Sequence, residues 1–175
     1  MTYFRRFGAQ ITFLVLSVIG VAISIYLTVA HYANAPVACS TNGLIDCERV
    51  LSSVYSFVPG TSIPISVPGL LWFLMSAVLA VLAWKVWPVW RALRVGQTIW
   101  FALGMLTALY LVYVEIVQLK KICAWCTSLH IIMLVMLLVA VFQLIQASSD
   151  EDEGEFEDDE EEEAVSQITA QQHQM

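Results

Sequence analysis

The chain has 175 residues, of which 59% are hydrophobic, well above the roughly 45–50% apolar content of soluble domains. Of its 15 acidic residues, 12 lie between Asp150 and Glu163, so the formal charge of −7 describes the C-terminal tail. The preceding part carries 8 basic and 3 acidic residues, a balance of +5. The few, scattered basic residues argue against a nucleic-acid partner. Composition therefore predicts one membrane domain followed by an acidic tail.

Four apolar runs are each long enough to span the hydrocarbon core of a bilayer, which is about 30 Å thick. They cover residues of about 9–31, 67–87, 97–118 and 123–146. The first run is too long for the apolar core of a signal peptide, and Pro36 would directly follow the apparent cleavage site, so we expect an uncleaved helix. The sequence predicts an all-α membrane protein, with a four-transmembrane-helix bundle in residues 1–147.

The distribution of basic residues predicts the orientation of this bundle. Four spans place both termini on one side, and basic residues favour that side as the cytoplasm by five to three. The loop between the first and second spans, together with both pairs of cysteines, is then extracytoplasmic. We expect a multi-pass protein of the plasma membrane, with residues 148–175 as a disordered acidic cytoplasmic tail.

The four cysteines form two pairs. Cys123 and Cys126 make a C-x-x-C motif where the fourth span begins, and Cys39 and Cys47 lie in the loop after the first span. Thiols that open a helix share a stabilised thiolate, because the free N–H groups there favour negative charge. A C-x-x-C disulfide closes too small a loop to add much stability, but such small rings exchange readily. Redox chemistry is therefore the favoured interpretation.

Two other interpretations of the cysteines stay open. Four cysteines suffice for a tetrahedral zinc site, although seven residues between Cys39 and Cys47 make a loose zinc-binding knuckle. Alternatively, static disulfides could stabilise a membrane protein that has no enzymatic activity.

Polar residues close to the cysteine pairs give further predictions. Asp46 is expected to cap a short helix with one apolar face formed by Val50, Leu51, Val54 and Tyr55. Ser66 is expected to cap the second span, since Pro68 follows in the early turn. Glu115, near the end of the third span, is expected to extend to water rather than to act as a proton relay.

These cysteine positions resemble those of the vitamin K epoxide reductase family. The stretch Cys47-Glu48-Arg49-Val50-Leu51-Ser52-Ser53 is similar to the loop-cysteine motif of that family, and Cys123-Ala124-Trp125-Cys126-Thr127 is similar to its active-site motif. The resemblance covers about residues 11–146. DsbB-type oxidases fit less well, because their C-x-x-C lies in the first extracytoplasmic loop.

The resemblance implies a membrane disulfide oxidase that passes electrons to a quinone, either a menaquinone or a ubiquinone. In such enzymes the second cysteine of the C-x-x-C, here Cys126, faces the quinone, and the first, here Cys123, exchanges with a loop cysteine. We assign Cys47 to that inner exchange and Cys39 to a thioredoxin-fold partner. Many bacterial relatives carry a fused thioredoxin-like domain; here an acidic tail stands in its place, so we expect a separate DsbA-like partner.

The sequence also departs from the family members that reduce vitamin K epoxide. Those members have an Asn near the start of the second span and a Tyr four residues after the C-x-x-C, where this sequence has Ile65 and His130. Epoxide reduction is therefore an alternative rather than the first expectation. His130 lies one turn after Cys126 on the same helix face, and it and Ser66 are candidate quinone contacts. His130 could instead satisfy a backbone carbonyl.

Overall fold

The computed structural model describes residues 2–39, 43–85 and 91–146. Within these segments the chain is built from helices: α1 Thr2–Ala33, α2 Cys47–Leu51, α3 Ser66–Lys85, α4 Arg91–Tyr113 and α5 Ala124–Gln146. A 3-10 turn, Val54–Ser56, follows α2, and α4 continues as a π-helix over Val114–Leu119. No strand occurs in the described segments, where backbone pairing outside helices is limited to isolated bridges.

Four of these helical stretches are long and apolar enough to cross a membrane: Gly8–Ala33, Ser66–Lys85, Ala92–Leu119 and Ala124–Gln146. The predicted all-α, four-span membrane fold is therefore confirmed. Helix α4 begins at Arg91, before the predicted boundary at residue 97, because loss of apolar character marks the edge of the lipid and not the end of a helix. The predicted tail, residues 148–175, lies outside the described residues.

The four long helices share one core. Phe13, Phe73, Phe101 and Met136, one from each long helix, are fully buried in it. The rings of Phe13 and Phe101 lie 5.0 Å apart, centroid to centroid. The opposite faces of the helices expose large apolar side chains, as expected where lipid replaces water.

Glycines allow two close helix contacts in this core. A methyl group at Gly20 of α1 would overlap the ring of Phe73 on α3, and one at Gly104 of α4 would overlap the indole of Trp72. Small residues at helix interfaces permit such close approach in membrane proteins. The packing of α1 against α3 thus depends on the absence of a side chain at residue 20.

One end of the bundle carries all four cysteines. We call it the cysteine end: the C-terminal ends of α1 and α4, the N-terminal starts of α3 and α5, and the segment from residue 34 to residue 65 that links α1 to α3. In that segment the ring of Phe57 packs against His31 of α1 at 5.2 Å between centroids.

The short helix at this end differs in part from its prediction. Asp46 caps α2 as expected, since its Oδ1 accepts the Arg49 amide hydrogen at 3.1 Å. The predicted apolar face is wrong beyond Leu51, because Val54 and Tyr55 are 81% and 41% exposed. The helix ends early because the Ser53 hydroxyl donates to the Val50 carbonyl at 2.8 Å and replaces a helical backbone donor.

The substitution Gly20→Ala is expected to destabilise the bundle by about 1–3 kcal/mol, the usual cost of overpacking a buried contact. The new methyl group would displace the fully buried Phe73 ring. Thermal unfolding of the detergent-solubilised protein measures the change. Gly8→Ala on the same helix is the control, because a methyl group there meets no atom within 4 Å among the described residues. Equal stability of the two variants would contradict this packing.

Candidate active site

The two cysteine pairs meet at the cysteine end. Cys39 and Cys47 are joined by a disulfide, whereas Cys123 and Cys126 are free thiols. Cys47 and Cys123 are fully buried and belong to one cluster with Val50. Cys39 and Cys126 are half-buried and pack against the edge of that cluster. The structure thus brings together the four cysteines that the sequence singled out.

A short backbone pairing explains why the two buried cysteines are neighbours. Ile45 in the loop and Ile122 before α5 form a parallel bridge. The Ile122 amide donates to the Leu44 carbonyl at 2.9 Å, and the Asp46 amide donates to the Ile122 carbonyl at 3.1 Å. Since Cys47 lies two residues after Ile45 and Cys123 follows Ile122, this pairing sets both cysteines at one level of the cluster.

The bridge is reinforced by a side chain. Lys121 Nζ donates to the Gly43 carbonyl oxygen at 2.6 Å. This bond joins the start of the paired loop segment to the residue before Ile122. The Lys121 ammonium group thus binds the loop backbone and holds the loop against the turn that precedes α5.

Cys123 occupies the cap position of α5. The Cys126 amide donates to Cys123 Sγ at 3.4 Å, and the Thr127 amide donates to the Cys123 carbonyl at 2.9 Å. The hydrogen bond from the Cys126 side chain lowers the pKa of the Cys123 thiol, and backbone N–H groups at the helix start lower it further against the opposing effects of burial and of Glu115. Cys123 therefore ionises more readily than an ordinary cysteine, which favours it as a nucleophile.

Two aromatic side chains hold the chain next to Cys39. The Ala38 amide donates to the phenol oxygen of Tyr26 at 2.9 Å, and Trp125 Nε1 donates to the Ala38 carbonyl at 2.9 Å. The two rings also touch, with centroids 5.1 Å apart. This aromatic clamp, formed by Tyr26 and Trp125, fixes Cys39 relative to the C-x-x-C. No sequence pattern predicts this clamp, because neither residue is unusual near a membrane surface.

Glu115 also belongs to the site, and its predicted extension to water is wrong. The residue is only 6% exposed, and its Oε2 accepts the Cys123 amide hydrogen at 3.4 Å. The chain reverses at Lys120, which has a φ of 51°, and returns past the side of α4 that carries Glu115. A carboxyl group inside an apolar span is a functional candidate by default.

Comparison with known protein families now gives this geometry a context. Residues 11–141, most of the chain, match the model of the vitamin K epoxide reductase family. The chain belongs to this family. A comparison with curated proteins finds no match. Family membership, the four spans and the cysteine pairs together identify a multi-pass membrane thiol oxidoreductase.

The two polar residues predicted to contact a quinone lie in different helices of this family member. Ser66 is the first residue of α3, and its hydroxyl is hydrogen-bonded to Thr28 Oγ1 at 2.9 Å. Ser66 is the donor in this bond, because the one hydroxyl hydrogen of Thr28 is donated to the Ser24 carbonyl at 2.7 Å. His130, on α5, is buried, and its Nδ1 has no hydrogen-bond partner among the described residues. Ser24, which sequence reasoning missed, likewise has a buried Oγ that lacks a partner within the described part of the chain.

The loop disulfide argues against the zinc interpretation. Cys39 and Cys47 are joined in a disulfide, so their sulfurs cannot act as thiolate ligands in this state. In the described segments no group of three or more His, Cys, Asp or Glu side chains could hold a metal ion.

Replacing Cys126 by Ala is expected to raise the pKa of Cys123, because the Cys126 side chain is the largest cause that lowers it. Titration of the ultraviolet thiolate absorbance, with the loop disulfide intact, measures the midpoint. Ser128→Ala is the control and should leave the midpoint unchanged, since the Ser128 hydroxyl donates only to the backbone of Ala124. A midpoint that stays in place in Cys126→Ala would contradict the thiol–thiolate hydrogen bond.

Loosening the aromatic clamp is expected to speed reduction of the Cys39–Cys47 disulfide. Tyr26→Phe and Trp125→Phe each remove one hydrogen bond to residue 38, worth about 0.5–1.5 kcal/mol, so reduction by dithiothreitol should become about 2- to 10-fold faster. Alkylation of released thiols at timed intervals gives the rate. Tyr110→Phe, at an exposed position on α4, is the matched control. Unchanged rates in both clamp variants would show that the clamp does not restrain Cys39.

Proposed function

We propose that this membrane thiol oxidoreductase is a quinone-linked disulfide oxidase that reoxidises a separate DsbA-like thioredoxin-fold protein. The observation that carries the proposal is the burial of Cys47 and Cys123 in one cluster, with the loop pair oxidised and the C-x-x-C pair reduced. This arrangement suits transfer of a disulfide between the two pairs by thiol–disulfide exchange.

The exchange proceeds through mixed disulfides in which each new S–S bond replaces an old one. A thiolate of the partner attacks Cys39 and releases the Cys47 thiolate. Cys47 then attacks Cys123 of the oxidised C-x-x-C and releases Cys126. After the second thiol of the partner has displaced Cys39, Cys39 attacks Cys47 and restores the loop disulfide. The partner has then lost two electrons, and Cys123 and Cys126 have gained them.

The exposure of the loop cysteines supports this order. Cys39 is half-buried and lies at the edge of the cluster, so a folded partner can approach it more easily than the fully buried Cys47. Cys47 shares its surroundings with Cys123, and the Ile45–Ile122 bridge holds the two segments together. The inner role therefore suits Cys47, and the outer role suits Cys39.

The polar side chains of the bundle fit a quinone as the final electron acceptor. A quinone supplies two-electron, two-proton chemistry, and its carbonyl oxygens accept hydrogen bonds. His130 and Ser24 each carry a buried polar atom with no partner among the described residues. The Ser66 oxygen, whose hydrogen is donated to Thr28, keeps lone pairs that can accept a hydrogen bond from a quinol. These residues would hold a quinone, and Cys126 would pass electrons to it.

The proposed orientation places the cysteine end outside the cytoplasm. The positive-inside rule favours cytoplasmic termini by five basic residues to three, and disulfides form and persist on the opposite side. We accordingly propose a protein of the plasma membrane that serves disulfide formation in exported proteins. Residues 1–147 would form the catalytic domain, and residues 148–175 a cytoplasmic tail.

The test uses membranes from cells that express Cys47→Ala, Cys39→Ala and Cys126→Ala. Cys47→Ala should accumulate a mixed disulfide between Cys39 and a thioredoxin-fold protein. This adduct forms when the Cys39 thiolate attacks the disulfide of the oxidised partner and releases one partner thiol, and Cys47 is no longer present to displace the partner from Cys39. Cys39→Ala should accumulate an internal Cys47–Cys123 disulfide. Non-reducing gels and mass spectrometry of the linked peptides detect both species. Quinone reduction should fall to background in Cys126→Ala, whereas Ser128→Ala, the matched control on α5, should retain it.

Two results would argue against the proposal. An adduct through Cys47 in Cys39→Ala, with none through Cys39, would reverse the order of the loop cysteines. If no adduct forms in either loop variant and quinone reduction survives without Cys126, the disulfides are static and the protein is not an oxidase.

A further inference from the structure

We propose that Glu115 is the general acid and base of the C-x-x-C, giving a proton to Cys126 when the Cys123–Cys126 disulfide opens and taking it back when that disulfide closes. The inference rests on the proposed exchange between the two cysteine pairs and adds its proton carrier. It is carried by the burial of the carboxyl group and by its hydrogen bond to the Cys123 amide, at the start of the helix that carries Cys126.

The backbone holds Glu115 firmly in this place. Its carbonyl oxygen accepts the amide hydrogens of Lys120 and Lys121, the latter at 3.1 Å. The residue lies in the π-helix Val114–Leu119, a widened turn of the kind that is frequent at functional sites. The left-handed conformation of Lys120 completes the reversal that returns the chain to Cys123. An uncommon turn and an uncommon helix together bring the carboxyl group to the thiols.

The carboxyl group lies at the start of α5, beside the C-x-x-C. Its Oε2 accepts the Cys123 amide hydrogen at 3.4 Å, and Cys123 Sγ accepts the Cys126 amide hydrogen at 3.4 Å. Glu115 also interacts electrostatically with both thiols. This position beside both thiols lets Glu115 exchange a proton with Cys126 in the proposed step.

The exchange chemistry requires such a group. When Cys47 attacks Cys123, the Cys126 sulfur leaves as an anion in the first turn of a transmembrane helix. An isolated anion at the edge of the lipid is costly, and a positioned acid stabilises it by giving a proton as the anion forms. Cys123, bound to Cys47 at that moment, carries no proton to give. A protonated Glu115 beside Cys126 supplies it.

The atoms and charges of this step balance. The Cys47–Cys123 bond forms, the Cys123–Cys126 bond breaks, and the proton of the Glu115 carboxyl group moves to Cys126 Sγ. The negative charge that began on the Cys47 thiolate ends on the Glu115 carboxylate, so the buried site holds one negative charge before and after the step. When the C-x-x-C pair is reoxidised, the carboxylate takes the Cys126 proton back.

Other charged groups at the cysteine end are engaged elsewhere or are exposed. Lys121 Nζ binds the Gly43 carbonyl, and Asp46 accepts the Arg49 amide hydrogen. Lys120, Glu48 and Arg49 are exposed. The His31 ring of α1 packs against Tyr32 and Phe57. His130 lies one turn further along α5 than Cys126, and in the described structure its interactions do not include Glu115. The pH dependence of the exchange should therefore reflect Glu115 together with the attacking thiols.

The test measures thiol–disulfide exchange without quinone or partner protein. Purified, quinone-free protein with both pairs oxidised is reduced by excess dithiothreitol at a series of pH values and quenched with acid at intervals. Alkylation and mass spectrometry then count the free Cys126 thiol. The main variant is Glu115→Gln, which keeps the size of the side chain and an oxygen that can accept the Cys123 amide hydrogen, but cannot give a proton.

In the wild-type protein the rate of Cys126 release should rise and then fall with pH, because it needs an ionised attacking thiol and a protonated carboxyl group. In Glu115→Gln the rate should drop by about 100-fold, typical of a lost general acid. The falling limb of the pH–rate profile, which is the decrease in rate at high pH, should vanish. Glu115→Asp, which retains a carboxyl group, should retain the falling limb. Glu48→Gln, the same substitution at an exposed position of α2, should match the wild type.

A Glu115→Gln variant with the wild-type rate and pH profile would overturn the proposal, since Glu115 would then only anchor the Cys123 amide. A slower variant that keeps the falling limb would overturn it as well, because a loss of shape alone produces that result. Failure of the proposed function has a different signature. Quinone reduction would then be absent in the wild type, while exchange in the C-x-x-C would still depend on Glu115.

Discussion

The arrangement of the site depends on two backbone hydrogen bonds, those that join Leu44 and Asp46 to Ile122. They tie a loop between two spans to the turn between two others, so residues far apart in the chain reach the same level. Side-chain packing alone would not set this register, because apolar contacts have no direction. The bridge lies next to the cysteines in the chain and brings Cys47, rather than Cys39, into the buried cluster with Cys123.

A second constraint comes from the reversal between α4 and α5. The chain leaves a membrane span, turns through a left-handed Lys120 and re-enters the next span within a few residues. Backbone groups at such a turn need partners at the edge of the lipid, and the Glu115 carbonyl supplies two of them. One consequence is that Cys123 becomes a helix cap, where N–H groups stabilise its thiolate. The residues from Glu115 to Cys123 thus serve both the turn at the membrane edge and the position of the Cys123 thiol.

The sequence predicted the four spans and the membrane fold because apolar runs of this length have few alternatives in water or lipid. It also singled out the four cysteines and the cap at Asp46. It could not predict the π-helix or the position of Glu115, because both follow from the direction in which the chain leaves α4, and hydropathy carries no such information. The contact of Tyr26 with Trp125 depends on how α1 and α5 meet, which is likewise a tertiary property. Local sequence pattern therefore identifies the cysteines of the site, whereas their contacts with other residues depend on how the helices pack.

The positions of the four sulfurs have a consequence for which molecules must cross the membrane surface. Cys39 lies at the edge of the cluster, Cys47 and Cys123 are sealed inside it, and Cys126 belongs to the first turn of a transmembrane helix. In the proposed relay, electrons pass from an aqueous donor to a lipid-soluble acceptor as a succession of S–S bonds, so neither the donor nor the acceptor has to leave its own phase. The protein then acts as a phase-transfer catalyst, and its specificity for a reductant is decided at one half-buried sulfur on the aqueous side.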